Sequence, residues 1–348
     1  MTLNDTFSGQ KARTLKLAAM AALFGALFLA GLSTGLPEFG LRALVQFLGG
    51  LPEGSEVQEA MRLVFLDMRL PRVCLAAVAG AGLALAGTGT QAVLCNPLVS
   101  PSVLGLSAGA AFGASAAVLF GRHVPLLDGP ALLMLCAFAG AMLAAGLCCL
   151  FSTFRRSSQA TVILAGIAVS YIFSGSMIFL QYMAPDHDLR AIVFWSVGSL
   201  WNANWTALNV LAPVTVAAAA LLWPMSMKLN SLVLGMEFAA SVGIEVGTIR
   251  TRVLILSAVL CAAIISFTGA IGFIGLLAPH IARALFGTDH RWLIPGSMLT
   301  GALLLLGADT AVRAIFWPQE IPVGAMTALI GGPFFLWQLL RRRKEWWI

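Results

Sequence analysis

Charge is scarce in this chain. Only 10% of its 348 residues are Asp, Glu, Lys or Arg, against roughly a quarter in a soluble globular domain. A water-soluble surface for a chain of this size cannot be built from so few ionic groups. Phosphate-binding loops are missing as well: none of the four lysines follows a glycine, so GxxxxGK[ST] does not occur and the chain has no ATP site of its own. HExxH is absent, and His123, His187, His280 and His290 are scattered at the ends of apolar runs, where they read as boundary residues rather than metal ligands. The six cysteines make no CxxC and lie in or beside apolar stretches, so they read as small apolar residues and no disulfide is expected. No metal and no cofactor is expected. Ionisable residues inside the apolar runs, which a proton- or sodium-coupled carrier uses, are nearly lacking. Asp309 lies near an outer helix end, and Arg283 and His280 lie near an inner one. Backbone carbonyls can also bind sodium, so a carrier stays open on this count.

What the chain has is apolar length. Hydrophobic residues make up 59% of it and the mean hydropathy is +0.91. The runs are long and do not alternate, which points to membrane-spanning helices rather than a β-barrel. The fold class is all-α: a polytopic membrane protein of about ten transmembrane helices. Helices are predicted near 15–35, 70–92, 102–120, 130–151, 160–183, 205–226, 252–268, 270–286, 293–312 and 322–340. Gly269, Gly272 and Gly275 in the middle of the 252–286 pair mark either a turn or close packing. The basic run before residue 17 could open a signal peptide, but no A-x-A-like site follows, and a retained first helix is expected.

With the N-terminus inside, ten helices place 14 of the 21 basic residues on the inner side and 7 outside, the direction the positive-inside rule requires. The net charge of +6 is therefore a matter of topology, and no nucleic-acid partner is expected. The whole chain, 1–348, reads as one transmembrane domain in a bacterial cytoplasmic membrane with both termini cytoplasmic. Residues 1–14 and 341–348 form the cytoplasmic tails, the latter with Trp346 and Trp347 at an interfacial position. Residues 36–68 form an outer loop. Residues 227–250 form an inner segment too polar to span, read as one or two short surface helices open to a cytoplasmic partner.

Gly105-Leu106-Ser107-Ala108-Gly109 matches GxSxG, but a nucleophile elbow needs a strand-to-helix turn with His and acid partners. Inside an apolar helix, Gly105, Gly109 and Gly113 recur every four residues on one face, the spacing that lets membrane helices approach closely. Gly87-Thr88-Gly89 has no strand before it and carries no dinucleotide reading. Arg69-Leu70-Pro71-Arg72 opens the second helix at the outer surface, with Pro in the first turn and the two arginines on one side. Spacing alone favours interfacial anchoring for this pair over docking.

Taken together, these residues resemble the permeases of ABC importers for cobalamin, haem and ferric siderophores. The resemblance runs from about Arg69 to Arg341. It is carried by RLPR at 69–72, GLALAGTGTQAVLCNPLVSPSVLGLSAGAAFGA at 82–114, LAGIAVS at 164–170, FWSVGSLW at 194–201, the 269–313 block and EIPVGAMTALIGGPFF at 320–335. It implies a homodimer with the path at the subunit interface, two cytoplasmic ABC ATPase subunits and an extracytoplasmic substrate-binding protein. It further implies that Arg69, Arg72 and Arg313 meet acidic residues of the binding protein. Leu234, Gly235, Glu237, Ala239 and Gly243 match the ATPase-coupling pattern LGxxxAxxLG. Met236 stands where an acid is common in the family, Ala240 where a base is common, and Val242 replaces the usual Leu. The expected cargo order is ferric siderophore, then haem, then cobalamin. The alternatives are an ion-coupled secondary transporter and an intramembrane enzyme using Ser107 or His280.

Overall fold

The computed structural model describes residues 3–35, 39–49, 56–121, 129–153 and 159–341. Its regular structure is helical, with no strand among the described residues. The first part of the chain runs α1 (Leu3–Ser33), α2 (Leu41–Leu48), α3 (Glu56–Arg62), a π-helical stretch (Leu63–Arg69), α4 (Leu70–Val93), a 3-10 turn (Pro101–Leu104), α5 (Leu106–Phe120), α6 (Gly129–Thr153) and α7 (Gln159–Met183). It continues as α8 (Asp186–Val197), α9 (Trp205–Leu222), α10 (Ser226–Val233), α11 (Met236–Ser241), α12 (Val246–Thr268), α13 (Ile274–Phe286), α14 (His290–Ile315) and α15 (Val323–Arg341). Seven helical stretches among the described residues are long and apolar enough to cross a membrane, and α5, α13 and α15 are shorter apolar helices. All ten segments expected from hydropathy fall on these helices.

The differences from expectation have local causes. Helix α1 begins at Leu3, so the described part of the expected 1–14 tail is helical and continuous with the apolar stretch. Nor does Arg69-Leu70-Pro71-Arg72 open a helix. Helix runs unbroken from Glu56 to Val93, and the π-helical turn absorbs the proline: Leu70 N–H reaches back five residues to the Phe65 carbonyl. Helix α8 falls between the expected segments 160–183 and 205–226, where Asp186, Asp188 and Arg190 break the apolar pattern. The inner segment ends early, since Val246 begins α12 six residues before the expected start. Arg122, Arg155, Arg156, the tail from residue 342 with its tryptophans, and part of the 36–68 loop lie outside the described residues.

Helix α4 forms the centre of the bundle and packs against α14, α12, α13 and α9. Its sequence explains this position, because small residues let backbones touch. A Cβ on Gly80 would run into the Gly301 carbonyl of α14, and one on Gly87 into the Gly275 carbonyl of α13. Thr88 and Thr90 are fully buried and satisfy their hydroxyls on the carbonyls of Ala84 and Ala86, both at 2.8 Å. On the periphery, α7 leaves Leu164, Ile172, Ile178 and Phe179 exposed, a face suited to lipid or to another helix and costly in water.

The junction of α12 and α13 combines both roles considered for its glycines. Gly269 ends α12 at φ +69°, in the left-handed region, and its Cβ would also strike the Trp195 carbonyl. Residues 270–273 are non-helical, and Phe273 sits at φ +65°. In the first turn of α13, a Cβ on Gly275 would crowd the Leu83 carbonyl of α4. Ser199 N–H donates to the Thr268 carbonyl at 2.7 Å, and Gly324 N–H to the Gly198 carbonyl at 3.0 Å. The end of α8, the break and the start of α15 are thereby tied together.

Candidate functional site

Three regions carry chemistry: the inner segment, the outer arginine cluster and a cavity at the α12–α13 break. On the inner side, α10 and α11 are two short helices separated by Gly235, whose φ of +127° is open to glycine and strained for other residues. Gly243, at φ +82°, ends α11. Helix α10 is anchored by Leu229 and Leu232 in the core. Helix α11 turns Ala239 inward and leaves Leu234 71%, Phe238 45% and Val242 54% exposed, with Glu237 beside them. Met236, where the family pattern usually has an acid, accepts at its Sδ from Arg250 Nη2 at 3.0 Å, which ties α11 to α12.

Asp289 precedes α14 and caps it, accepting from Arg291 N–H at 3.0 Å. Arg291 also donates side-chain bonds to both of its oxygens, at 2.8 to 3.2 Å. These bonds, with that from Asn230, hold the carboxyl down to about 2 despite partial burial. Since the folded value is depressed, this carboxylate stabilises the fold above its ordinary value near 3.8, and the contribution fades as pH falls through about 2. Arg291→Gln removes the main cause. We expect that variant to lose its stability disadvantage relative to wild type as pH drops from about 4 to about 2, in thermal unfolding of the detergent-solubilised chain. A gap independent of pH would exclude Asp289 as the titrating partner.

At the outer end the structure brings Arg69, Arg72 and Arg313 together, though not as exposed charge. Arg69 and Arg313 are 6% and 8% exposed and Arg72 12%. Arg69 Nη1 donates to the carbonyls of Leu32 (2.6 Å) and Phe39 (2.7 Å), with its guanidinium 5.3 Å from the Phe65 ring centre. Arg313 Nε donates to Asp309 Oδ2 at 2.9 Å, and its Nη1 to the carbonyls of Gly31 and Thr34. Arg72 Nε donates to Asp309 Oδ1 at 3.0 Å, while its Nη1 lies 3.6 Å from the exposed Glu320. Two of the three arginines thus cap the C-terminal carbonyls of α1, which no intrahelical partner can satisfy. Only Arg72 reaches the rim.

Gly105, Gly109 and Gly113 take two roles in the structure. Gly109 and Gly113 abut α6, where a Cβ would strike the carbonyls of Gly140 and Cys136. Gly105 precedes α5 as the left-handed link, φ +80°, from the 3-10 turn, and a Cβ there would meet Val169 of α7 and Ala144 of α6. Ser107, on the first turn of α5, borders a cavity of about 450 Å³ lined also by Ser100, Ser102, Ala270, Gly272, Phe273 and Gly324. No acidic or basic side chain lines it. Non-helical backbone at membrane depth is tolerated where it faces protein or a wet cavity, which fits residues 270–273 here. Sequence reasoning placed Asp309 near a helix end but missed its part in the cluster. Its i,i+4 spacing to Arg313 was a readable signal, whereas its contact with Arg72, 237 residues away, left none.

The model of the FecCD transport family matches residues 20–341. The hemin transport system permease protein HmuU of Yersinia pestis is 40% identical over 291 residues, covering 84% of this chain and 87% of that protein. The Fe(3+)-citrate import system permease protein YfmE of Bacillus subtilis is 35% identical over 344 residues, 99% of this chain and 100% of that one. A solved structure described as an inward-facing conformation of a metal-chelate type ABC transporter superposes with a TM-score of 0.82 at 30% identity, covering 94% of this chain and 100% of that one. A family match over nearly the whole length, an all-helical fold with seven long apolar helices, and relatives of this identity and coverage lead to one assignment: the chain belongs to the FecCD transport family of ABC importer permeases.

Proposed function

We propose that this chain is the path-forming subunit of a binding-protein-dependent importer that carries a metal chelate such as a ferric siderophore, haem or cobalamin. It works as a homodimer in a bacterial cytoplasmic membrane, with both termini inside. The carrying observation is α11: a short helix, flanked by two left-handed glycines, that leaves Leu234, Phe238 and Val242 exposed on a chain without a phosphate-binding loop. An apolar face on an otherwise polar segment suits a protein partner, and an ATPase docked there supplies the energy the chain itself cannot. Leu234, Gly235, Glu237, Ala239 and Gly243 then act as the coupling segment. Outside, Arg72 offers charge to an acidic binding protein, and Arg69 and Arg313 hold the end of α1 in place beside it. Rim charges of this kind align partners and speed docking more than they tighten it.

Switching between outward- and inward-open states requires partners that bind the two states with different affinity. ATP on the ATPases and the docked binding protein supply that difference. The uncharged walls of the cavity at the break would hold a bulky chelate weakly, which suits release. The test is ATP-dependent uptake of haemin, ferric citrate and cobalamin by proteoliposomes containing this chain with its ATPase and binding protein. Wild type should accumulate at least one of them only with ATP. Phe238→Asp should lower uptake at least tenfold, because a carboxylate in an apolar contact is desolvated without a partner. Uptake driven by an ion gradient without ATP would instead establish the secondary-carrier reading.

A further inference from the structure

Among the side chains that fasten the inner segment to the bundle, one joins α10 directly to the start of α14. Asn230 lies on α10, and its amide makes three bonds to the beginning of α14. Its Oδ1 accepts from His290 N–H at 2.8 Å, and it lies 2.7 Å from His290 Nδ1. Its Nδ2 donates to Asp289 Oδ1 at 2.9 Å. The backbone donor fixes which way the amide points, and an amide oxygen only accepts, so His290 carries its proton on Nδ1. His290 is 2% exposed, and its other ring nitrogen, Nε2, is buried without a hydrogen-bond partner. Separately, Arg283 Nη2 on α13 donates to Gln91 Oε1 on α4 at 2.6 Å. Gln91 Nε2 and Arg283 Nη1 are also buried without partners.

Polar bonds thus join α10 to the start of α14, and α14 packs directly on α4, the central helix. The surroundings are apolar: Leu229 and Leu232 flank Asn230 on α10, and both are buried in the core. Beyond Gly235, α11 has few contacts with the bundle and packs chiefly on α10 and α12. A load applied to the exposed face of α11 therefore reaches the bundle through α10 and α12, and α10 is the arm bonded to α14. A hydrogen-bonded side chain resists sliding along a helix, whereas apolar contacts alone permit it.

We propose that Asn230 is the positioning residue that transmits movement of the coupling segment to α14 and onward to α4. The inference rests on the importer reading above, because it takes α11 as the ATPase contact. Asn230 touches neither nucleotide nor cargo. Its effect is read in the number of cargo molecules moved per ATP hydrolysed, a ratio that simple loss of folded protein leaves unchanged.

The experiment measures ATP hydrolysis and uptake of haemin, ferric citrate and cobalamin together, in proteoliposomes holding the full complex. It compares wild type, Asn230→Ala and the near-isosteric Asn230→Leu. Alanine is the better helix former, so that variant retains α10, and size-exclusion elution checks assembly of both. Hydrolysis close to wild type with at least fivefold less cargo per ATP supports the proposal. An unchanged ratio in either assembled variant overturns it while leaving the importer intact. A wild-type complex with no ATP-dependent uptake overturns the importer reading and this inference together. Should neither variant assemble, amide hydrogen exchange on the purified chain decides. Faster exchange at the start of α14 as well as in α10 supports the strut, and a change confined to α10 overturns it.

Discussion

Replacing Asp309 by leucine is expected to cost about 3–5 kcal/mol of stability, the usual result of removing one partner from a buried charge cluster. Asp309 is 1% exposed, and its two oxygens are shared between Arg72 and Arg313. Without it, Arg313 keeps only carbonyl acceptors, and Arg72 keeps only Glu320 at 3.6 Å. The buried Arg313 guanidinium would then lack a carboxylate, and Arg72 would hold only its longer pair with Glu320. Asp309→Asn should cost less, since its amide oxygen still accepts one of the bonds. The damage should also be local. Helix α1 lies at the edge of the bundle, packed on α14 and the core through Phe24, Leu27 and Phe28, and is tied by the arginines at its outer end and by Lys16 Nζ on the Leu285 carbonyl at 2.8 Å. Thermal unfolding in nanodiscs should show the loss, and hydrogen exchange should rise first around residues 31–35. A loss below about 1 kcal/mol would place Asp309 among the weakly coupled surface pairs.

The second large effect is expected at Gly87. Its missing Cβ leaves room for the Gly275 carbonyl, so even alanine forces α4 and α13 apart. Overpacking of side chains costs about 1–3 kcal/mol, and here the obstruction is backbone, which cannot rotate away. Gly87→Ala should reach or exceed that range, and Gly87→Leu should abolish the recovery of folded protein. Gly25 in α1 is the control, because a Cβ there meets nothing within 4 Å. Gly25→Ala should be neutral or stabilising by about 0.5–1 kcal/mol, since glycine weakens a helix interior. Equal responses at the two positions would show that helix propensity, not packing, governs α4. The comparison needs only the yield and melting temperature of the two purified variants.

How far the sequence disclosed this architecture follows from the range of each interaction. Apolar runs give helices because lipid leaves the backbone few other ways to satisfy its hydrogen bonds, so every spanning segment was visible. The surface helix α8 was not, since Asp186, Asp188 and Arg190 carry no apolar stripe long enough to count. The π-helical turn before Leu70 was hidden because the proline, read locally, signals a helix start. Only the packing of α3 and α4 as one rod shows that the helix continues. Gly105 had the right spacing for a helix face, but its left-handed conformation depends on the 3-10 turn before it. At the outer cluster, the residue types were legible and their exposure was not. Arg69 and Arg72 meet partners 30 to 237 residues away, and no local pattern encodes those pairings. The coupling segment was found as polar sequence on an apolar background, yet Asn230 within it was indistinguishable from any surface asparagine.

The capping of α1 by Arg313 also sets an order of events during biosynthesis. Gly31 and Arg313 are 282 residues apart, which at roughly 5–20 residues per second separates their synthesis by roughly 14 to 56 s. Throughout that interval the last carbonyls of α1 have no guanidinium from α14. Arg69, made 37 residues after Leu32, is in place long before, so the end of α1 is secured in two stages, early by α4 and late by α14.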